Sequence, residues 1–244
     1  FSIKTMGINM AQEKIVSMFN NIAPTYDKAN RVLSMGIDKS WRDKACNKTF
    51  ELYGKKEIEK IVDVACGTGD MIIFWKQNAN KKNITLKNII GIDPSVGMME
   101  VGKKKLPEVE FIEAFATSMP LENECADIVS ISYGIRNVVQ RQEAFVEFAR
   151  VLKKGGLVVI SEFTKNQKET PLDYLTAFYM DKILPVVGGI ISKNKEAYRY
   201  LPDSIDEFLT TSNLQKELKN AGLEPIYTKA FSMKISTLII AKKI

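Results

Sequence analysis

The chain of 244 residues contains no histidine. That absence removes the commonest general base and every Ser-His or Cys-His nucleophile pair. Cysteine is nearly as scarce: Cys46, Cys66 and Cys125 are odd in number, far apart and without a CxxC spacing. Free thiols in a reducing compartment are expected, not a disulfide framework. Without histidine or paired cysteine a structural zinc site has no ligand set, so no metal is expected. No uncharged apolar run reaches the roughly eighteen residues of a membrane span. The stretch Phe1–Met10 lacks the basic cluster and apolar run of a secretory signal, and a cytoplasmic location is expected. No internal repeat or low-complexity tract is visible.

What is present is ordinary for a soluble globular protein: 45% hydrophobic and 26% charged residues. The length suits one large α/β domain, read as residues 1–244. The formal charge of +6 admits a nucleic acid or an anionic membrane surface. The basic residues are spread out, however, with small clusters at Lys103–Lys105 and Lys153–Lys154. Cations at helix ends are a common match to the helix dipole, so no nucleic-acid partner is expected.

Seven short apolar runs read as strands: Ile61–Ala65, Asn88–Asp93, Val109–Glu113, Ala126–Tyr133, Leu157–Phe163, Pro225–Phe231 and Ile235–Ala241. Helices are expected between them at Met71–Gln77, Val96–Lys105, Gln142–Leu152 and Ser212–Ala221, with Gly155-Gly156 capping the third. Such alternation predicts a doubly wound, mostly parallel α/β sheet of Rossmann-like type. The last two runs lie about four residues apart and should form a hairpin, which introduces one antiparallel strand. An N-terminal helical segment, 11–53, carries a predicted loop at Ala23–Tyr26 around Pro24. Residues 166–208 break the rhythm and read as an insertion over the carboxyl edge of the sheet, where ligands bind in this architecture.

The first strand runs into Cys66-Gly67-Thr68-Gly69-Asp70. Glycines let backbone pass close to a ligand, and the following helix offers unpaired N–H groups. The third glycine of G-x-G-x-x-G is missing, since Ile72 stands there, and no G-K-[ST] follows. A diphosphate ligand is therefore disfavoured. Asp93 ends the second strand, where an acid accepts hydrogen bonds from the ribose hydroxyls of an adenosine. Taken alone, Asp93 also reads as the N-cap of the next helix; together with the glycine loop it makes a nucleoside site.

V-D-V-A-C-G-T-G-D, G-I-D-P-S-x-x-M and M-P-L-x-x-x-x-A-D-I-V resemble the motifs of class I S-adenosylmethionine-dependent methyltransferases. Four further segments resemble the ubiquinone/menaquinone C-methyltransferases. They are M-F-N-N-I-A-P-T-Y-D-K-A-N from Met18, S-M-G-I-D-K-S-W-R from Ser34, I-S-Y-G-I-R-N-V from Ile131 and A-Y-R-Y-L-P-D-S-I from Ala197. The likeness spans roughly residues 11–242. It implies S-adenosylmethionine as cofactor, held by Gly67, Thr68, Gly69, Asp93, Phe115, Ala116 and Ser132, with Asp63 orienting the loop or reaching the methionine amino group. Phe115 stands where relatives carry Asn or Asp, and Asp38 replaces the family's histidine.

The implied reaction methylates a ring carbon of a polyprenylated benzoquinol or naphthoquinol. Its demands are an aligned sulfonium, an ionised ring hydroxyl and loss of the ring proton. Arg136 and Asn137, past the fourth strand, are expected near the substrate. Arginine stays protonated at ordinary pH, so Arg136 is read as stabilising a quinolate rather than as a base, with a structural ion pair as the alternative. Tyr26 and Asp27 are read as hydrogen-bonding the quinol hydroxyls, with helix capping and packing as the alternative. For Tyr198, Arg199 and Tyr200, lid and substrate contact stay open. The apolar surface between Leu172 and Ile191 suits an isoprenyl tail or a bilayer surface, with ordinary core packing or a homodimer contact as the alternative. Two rival readings are methylation of another small molecule at O, N or a sterol-like carbon, and a non-catalytic RNA- or membrane-binding protein that kept the fold.

Overall fold

A computed structural model of the chain describes residues 3–165, 171–192 and 194–244. Helices α1 (Ile3–Leu33) and α2 (Ile37–Tyr53) precede β1 (Glu57–Val64). Then follow α3 (Asp70–Lys81), β2 (Thr85–Asp93), α4 (Val96–Lys105), β3 (Glu110–Glu113) and β4 (Ala126–Ser132). After a 3₁₀ turn at Ile135–Asn137 come α5 (Arg141–Val151) and β5 (Leu152–Glu162). The irregular region forms α6 (Pro171–Phe178), a π turn at Tyr179–Ile183, α7 (Leu184–Ser192) and α8 (Lys195–Asp206). The chain closes with α9 (Thr211–Asn220), β6 (Leu223–Phe231) and β7 (Ser236–Lys243).

The seven strands order as β3-β2-β1-β4-β5-β7-β6. All neighbours pair in parallel except β7, which is antiparallel to both β5 and β6. Alternate residues of each central strand face opposite layers. Val62, Val64, Val129, Ile131, Val158 and Ile160 pack against α5 and α9 through Phe145, Phe148, Leu214 and Leu218. Ile61, Ile128, Leu157 and Val159 pack against α2 and α3 through Trp41, Phe50, Ile72 and Trp75. Burial on both faces is why these strands read as continuous apolar runs instead of alternating ones. Each large side chain so buried contributes about 1.5–3 kcal/mol.

Two local expectations are corrected. Pro24 does not break a helix: α1 runs through it as one element of 31 residues. The ring removes one N–H, the one that would bond the Asn20 carbonyl. The chain instead turns at Met35 and Gly36, both at positive φ (50° and 77°). Gly155-Gly156 do not cap α5 either, since α5 ends at Val151 and both glycines lie inside β5. Gly155, at φ 78°, sits in a bulge where the register jumps from Ala126↔Leu152 to Ile128↔Leu157.

A third apolar cluster joins α1 to the irregular region: Ile22, Ala29 and Leu33 pack with Leu184, Ala197 and Tyr198. This helical layer covers the carboxyl end of the sheet at β1 and β4, the point where strand order reverses. Residues 166–170, the start of the expected insertion, lie outside the described residues.

Candidate active site

A cavity of about 320 Å³ opens at the carboxyl ends of β1, β2, β3 and β4. Its floor is the turn after β1. Gly67 and Gly69 hold φ of 53° and 78°, a region where L side chains are strained. A Cβ on Gly69 would also fall 2.9 Å from Leu106 Cδ1, so this glycine serves the packing of α3 and does not line the cavity. Gly67, Thr68, Asp63, Asp93, Phe115, Ala116 and Ser132 all line it.

Asp93 is buried and fixes the loop. Its Oδ2 accepts from the Gly67 N–H and its Oδ1 from the Ser95 N–H, each at 2.8 Å. The N-cap of α4 is Ser95, not Asp93. Burial pushes the Asp93 carboxyl up to about 6. Asp63 is more enclosed, at 1% exposure. Trp75 Nε1 donates to Ser130 Oγ at 3.0 Å, and Ser130 donates to Asp63 Oδ1 at 2.5 Å. Asp63 Oδ2 and Ser132 Oγ are buried without a partner. Burial pushes Asp63 up to about 7. A buried polar atom left unpaired costs about 1–3 kcal/mol, and one beside a cavity is a place for a ligand's polar group.

A second cavity, about 290 Å³, lies under the helical layer and is mostly apolar. Met18, Ile22, Leu33, Met180, Leu184 and Leu201 contribute to its wall. Phe19, Tyr26, Arg42 and Tyr133 line both cavities and form the junction between them. Burial raises the Tyr26 hydroxyl and pushes Tyr133 up to about 12, so both phenols stay protonated at neutral pH. Among the described residues, the unpartnered buried polar atoms in the second wall are Arg42 Nε and Tyr198 Oη.

The expected substrate residues divide. Tyr26 stands at the junction. Asn137 lines the first cavity and accepts from Tyr200 Oη at 2.9 Å. Asp27 lines neither cavity: it accepts from Thr68 Oγ1 at 2.6 Å and from Lys105 Nζ at 2.8 Å. Arg136 lines the second cavity, with its Nε and Nη1 engaged. It donates to Glu162 Oε1 at 2.6 Å, to the Tyr133 carbonyl at 2.9 Å and to Ser204 Oγ at 3.2 Å. Arg42 and Tyr133 were not singled out from sequence. The signal for Arg42 was its place four residues after Asp38, one helical turn along the same face.

A model described as the ubiE/COQ5 methyltransferase family matches residues 7–243. The chain belongs to this family. A ubiquinone/menaquinone biosynthesis C-methyltransferase UbiE of Campylobacter jejuni is 58% identical over 96% of this chain and 99% of its own length. A demethylmenaquinone methyltransferase of Chlorobaculum tepidum is 36% identical over 96% and 93%. Among solved structures, a SAM-dependent methyltransferase of Aquifex aeolicus superposes with a TM-score of 0.57 at 15% identity, covering 82% of this chain and 89% of that one. One of Thermotoga maritima gives 0.58 at 19%, covering 94% and 100%. At such identities these likenesses concern the fold alone.

Asp38 is the hub of a charge cluster. It takes ion pairs from Arg31 and Arg42 and accepts from Ser34 Oγ at 2.7 Å. This acid holds two arginines under the second cavity instead of offering a base.

Proposed function

We propose that this protein transfers a methyl group from S-adenosylmethionine to a ring carbon of a prenylated naphthoquinol or benzoquinol, in menaquinone or ubiquinone biosynthesis. The observation that carries the reading is the junction: a cavity holding two buried acids meets a mostly apolar one across Phe19, Tyr26, Arg42 and Tyr133. The names of the relatives from C. jejuni and C. tepidum support the quinone-type substrate.

The first cavity fits this cofactor. Each Asp93 oxygen keeps a lone pair beyond its backbone bond, suited to the ribose hydroxyls. The unpartnered Asp63 Oδ2 suits the methionine ammonium, with Ser132 Oγ as a second polar contact. Phe115, 44% exposed on the cavity wall, offers its ring face to the adenine. Bound there, the cofactor supplies an electrophilic methyl group on a sulfonium.

The chain's own residues then perform three tasks. Rings at the junction exclude water and hold the quinol carbon facing the cofactor cavity; such placement alone removes about 7–11 kcal/mol of barrier. Arg42 Nε, unpartnered at the junction, donates to the ring oxygen as its proton leaves to water. The ionised oxygen pushes electron density onto the neighbouring carbon, which takes the methyl group and then loses its own proton to water. Arg136, tied to buried Glu162, keeps its charge near the same oxygen and fixes the wall. Helices α1 and α6–α8 act as the lid.

A cavity of about 290 Å³ sits at the lower end of small-molecule pockets, enough for the ring and the first part of a tail. The rest must leave past exposed apolar rim residues, Met35 (77%), Ile37 (42%) and Met233 (49%). Exposed Lys39, Lys44 and Lys229 flank this rim, so it suits the surface of an anionic bilayer. The surface between Leu172 and Ile191, with Tyr174, Phe178, Val186 and Ile190 exposed, has the same apolar character and remains part of the reading. No nucleic acid enters the reading.

The test is incubation with methyl-labelled cofactor and both demethylated quinols in detergent. Label in a ring carbon of at least one is expected. Label in neither, with transfer to an unrelated acceptor, would overturn the assignment.

A further inference from the structure

Tyr198 is 4% exposed, lines the apolar cavity, and has a hydroxyl with no partner. The neighbouring phenols are satisfied differently: Tyr200 donates to Asn137 and Tyr179 to the Leu33 carbonyl at 2.5 Å. Nor is the ring placed by default. A Cβ on Gly188 would lie 2.2 Å from Tyr198 Cδ1, so the ring rests directly on the backbone of α7. That contact admits no larger residue at 188. The helix thus gives up a side chain to seat an aromatic ring whose polar end bonds nothing. Phenylalanine would fill the same seat without an unpaired hydroxyl, which makes the oxygen itself the feature to explain.

Resting on the quinol reading above, we propose that Tyr198 is a substrate-recognition residue, its hydroxyl bonding a ring oxygen of the quinol and so favouring an oxygenated ring over a bare isoprenoid in the cavity. Burial and the nearby Tyr26 hydroxyl both raise the Tyr198 phenol, which therefore stays a donor throughout the neutral range. Arg42 and Tyr198 both line this cavity, and the unpartnered Arg42 Nε and Tyr198 Oη are each a donor. Sites built to bond a hydroxyl discriminate strongly against ligands that lack it.

The experiment compares the wild type with Tyr198→Phe on two ligands: a short-tailed demethylated quinol, and its analogue with hydrogen in place of both ring hydroxyls. Affinity is read by titration with the demethylated cofactor product bound, and turnover and melting temperature are read on the same preparations. Tyr198→Phe is expected to weaken quinol binding and raise its KM about tenfold, the worth of one good hydrogen bond. Cofactor affinity should stay the same and melting temperature should not fall. The analogue without ring hydroxyls should bind both proteins alike, completing a double-mutant cycle. Gly188→Ala, which must displace the ring, should also raise KM in the wild type but add nothing to Tyr198→Phe. Unchanged quinol affinity, or a fall in melting temperature with normal KM, would make Tyr198 structural only and overturn the proposal while leaving the quinol reading intact. Should the wild type bind neither quinol, the functional reading falls first, and the two failures are distinct.

Discussion

Asp63 is an acid kept where an acid is costly. Its folded value, about 7, lies above the ordinary carboxylate range because of burial, so the folded chain binds the extra proton. A raised carboxyl favours the folded state fully below its unfolded value and loses that contribution as pH rises through the folded one. At about pH 8 the ionised Asp63 therefore works against stability. Asp63→Asn should melt no lower than the wild type there without cofactor, while cofactor affinity falls at least tenfold, one strong hydrogen bond. In the wild type, affinity for the cationic cofactor should increase between about pH 6 and pH 8 as Asp63 ionises, a trend absent in Asp63→Asn. Calorimetry and thermal melts across pH check both. Arg136 poses the opposite problem, since its pair with Glu162 is 7% and 0% exposed. Arg136→Ala leaves a buried carboxylate unpaired and should cost about 3–5 kcal/mol, which obscures any kinetic effect. The double variant Arg136→Met with Glu162→Gln should recover most of that stability. If turnover recovers with it, Arg136 is purely a wall residue; if turnover stays down by roughly a hundredfold, its charge acts on the reacting ring.

Helix α1 is held to the glycine loop by a chain of charges instead of a broad apolar face. Lys105, at the end of α4, bonds Asp27 of α1 at 2.8 Å and Asp70 of α3 at 2.7 Å, and Arg31 adds pairs to Asp38 and Asp70. Nearby, Asn20 Oδ1 takes both the Ser95 hydroxyl at 2.8 Å and the Gly97 N–H at 2.9 Å. These contacts join the lid to the residues that shape the cofactor cavity. Lys105→Met removes partly exposed pairs worth about 1 kcal/mol together, so cofactor dissociation should quicken by about fivefold. Amide exchange over residues 3–33 should quicken in parallel while that of β1 and β4 stays slow; equal rates in both proteins would argue against a latch. The same helix shows why its boundary was misread. A proline mid-helix loses one hydrogen bond, but Ile22, Ala29 and Leu33 on either side of Pro24 are anchored against Leu184 and Tyr198. Contacts from distant parts of the chain outweigh that local loss.

Across the whole molecule, the two cavities lie in line from the sheet edge to an apolar rim, and no helix among the described residues is long and apolar enough to cross a membrane. On the quinol reading proposed above, the tail of a prenylated substrate passes this rim. Replacing Met35 and Met233 by Asp should weaken binding to anionic vesicles and lower turnover of a long-tailed quinol at least tenfold. Turnover of a short-tailed quinol in detergent should change less than about twofold, because neither residue stands at the junction. Equal losses on both substrates would mean the rim shapes the cavity itself. Sequence alone determined the seven strands, the single antiparallel one and the cofactor edge: strands buried on both faces read as unbroken apolar runs, and a glycine loop followed by an acid is local in the chain. Family motifs further marked Tyr26, Asn137 and Arg136 as belonging together. Only the tertiary structure decided what each side chain faces. It turned Asp27 toward Thr68 and Lys105, tied Arg136 Nη1 to Glu162, and left Arg42 Nε and Tyr198 Oη without partners. Those outcomes depend on pairings between residues 26 to 78 positions apart, such as Arg136 with Glu162 and Lys105 with Asp27. Periodicity and spacing report neighbours along an element, so a partner supplied by another element stays invisible until the chain has packed.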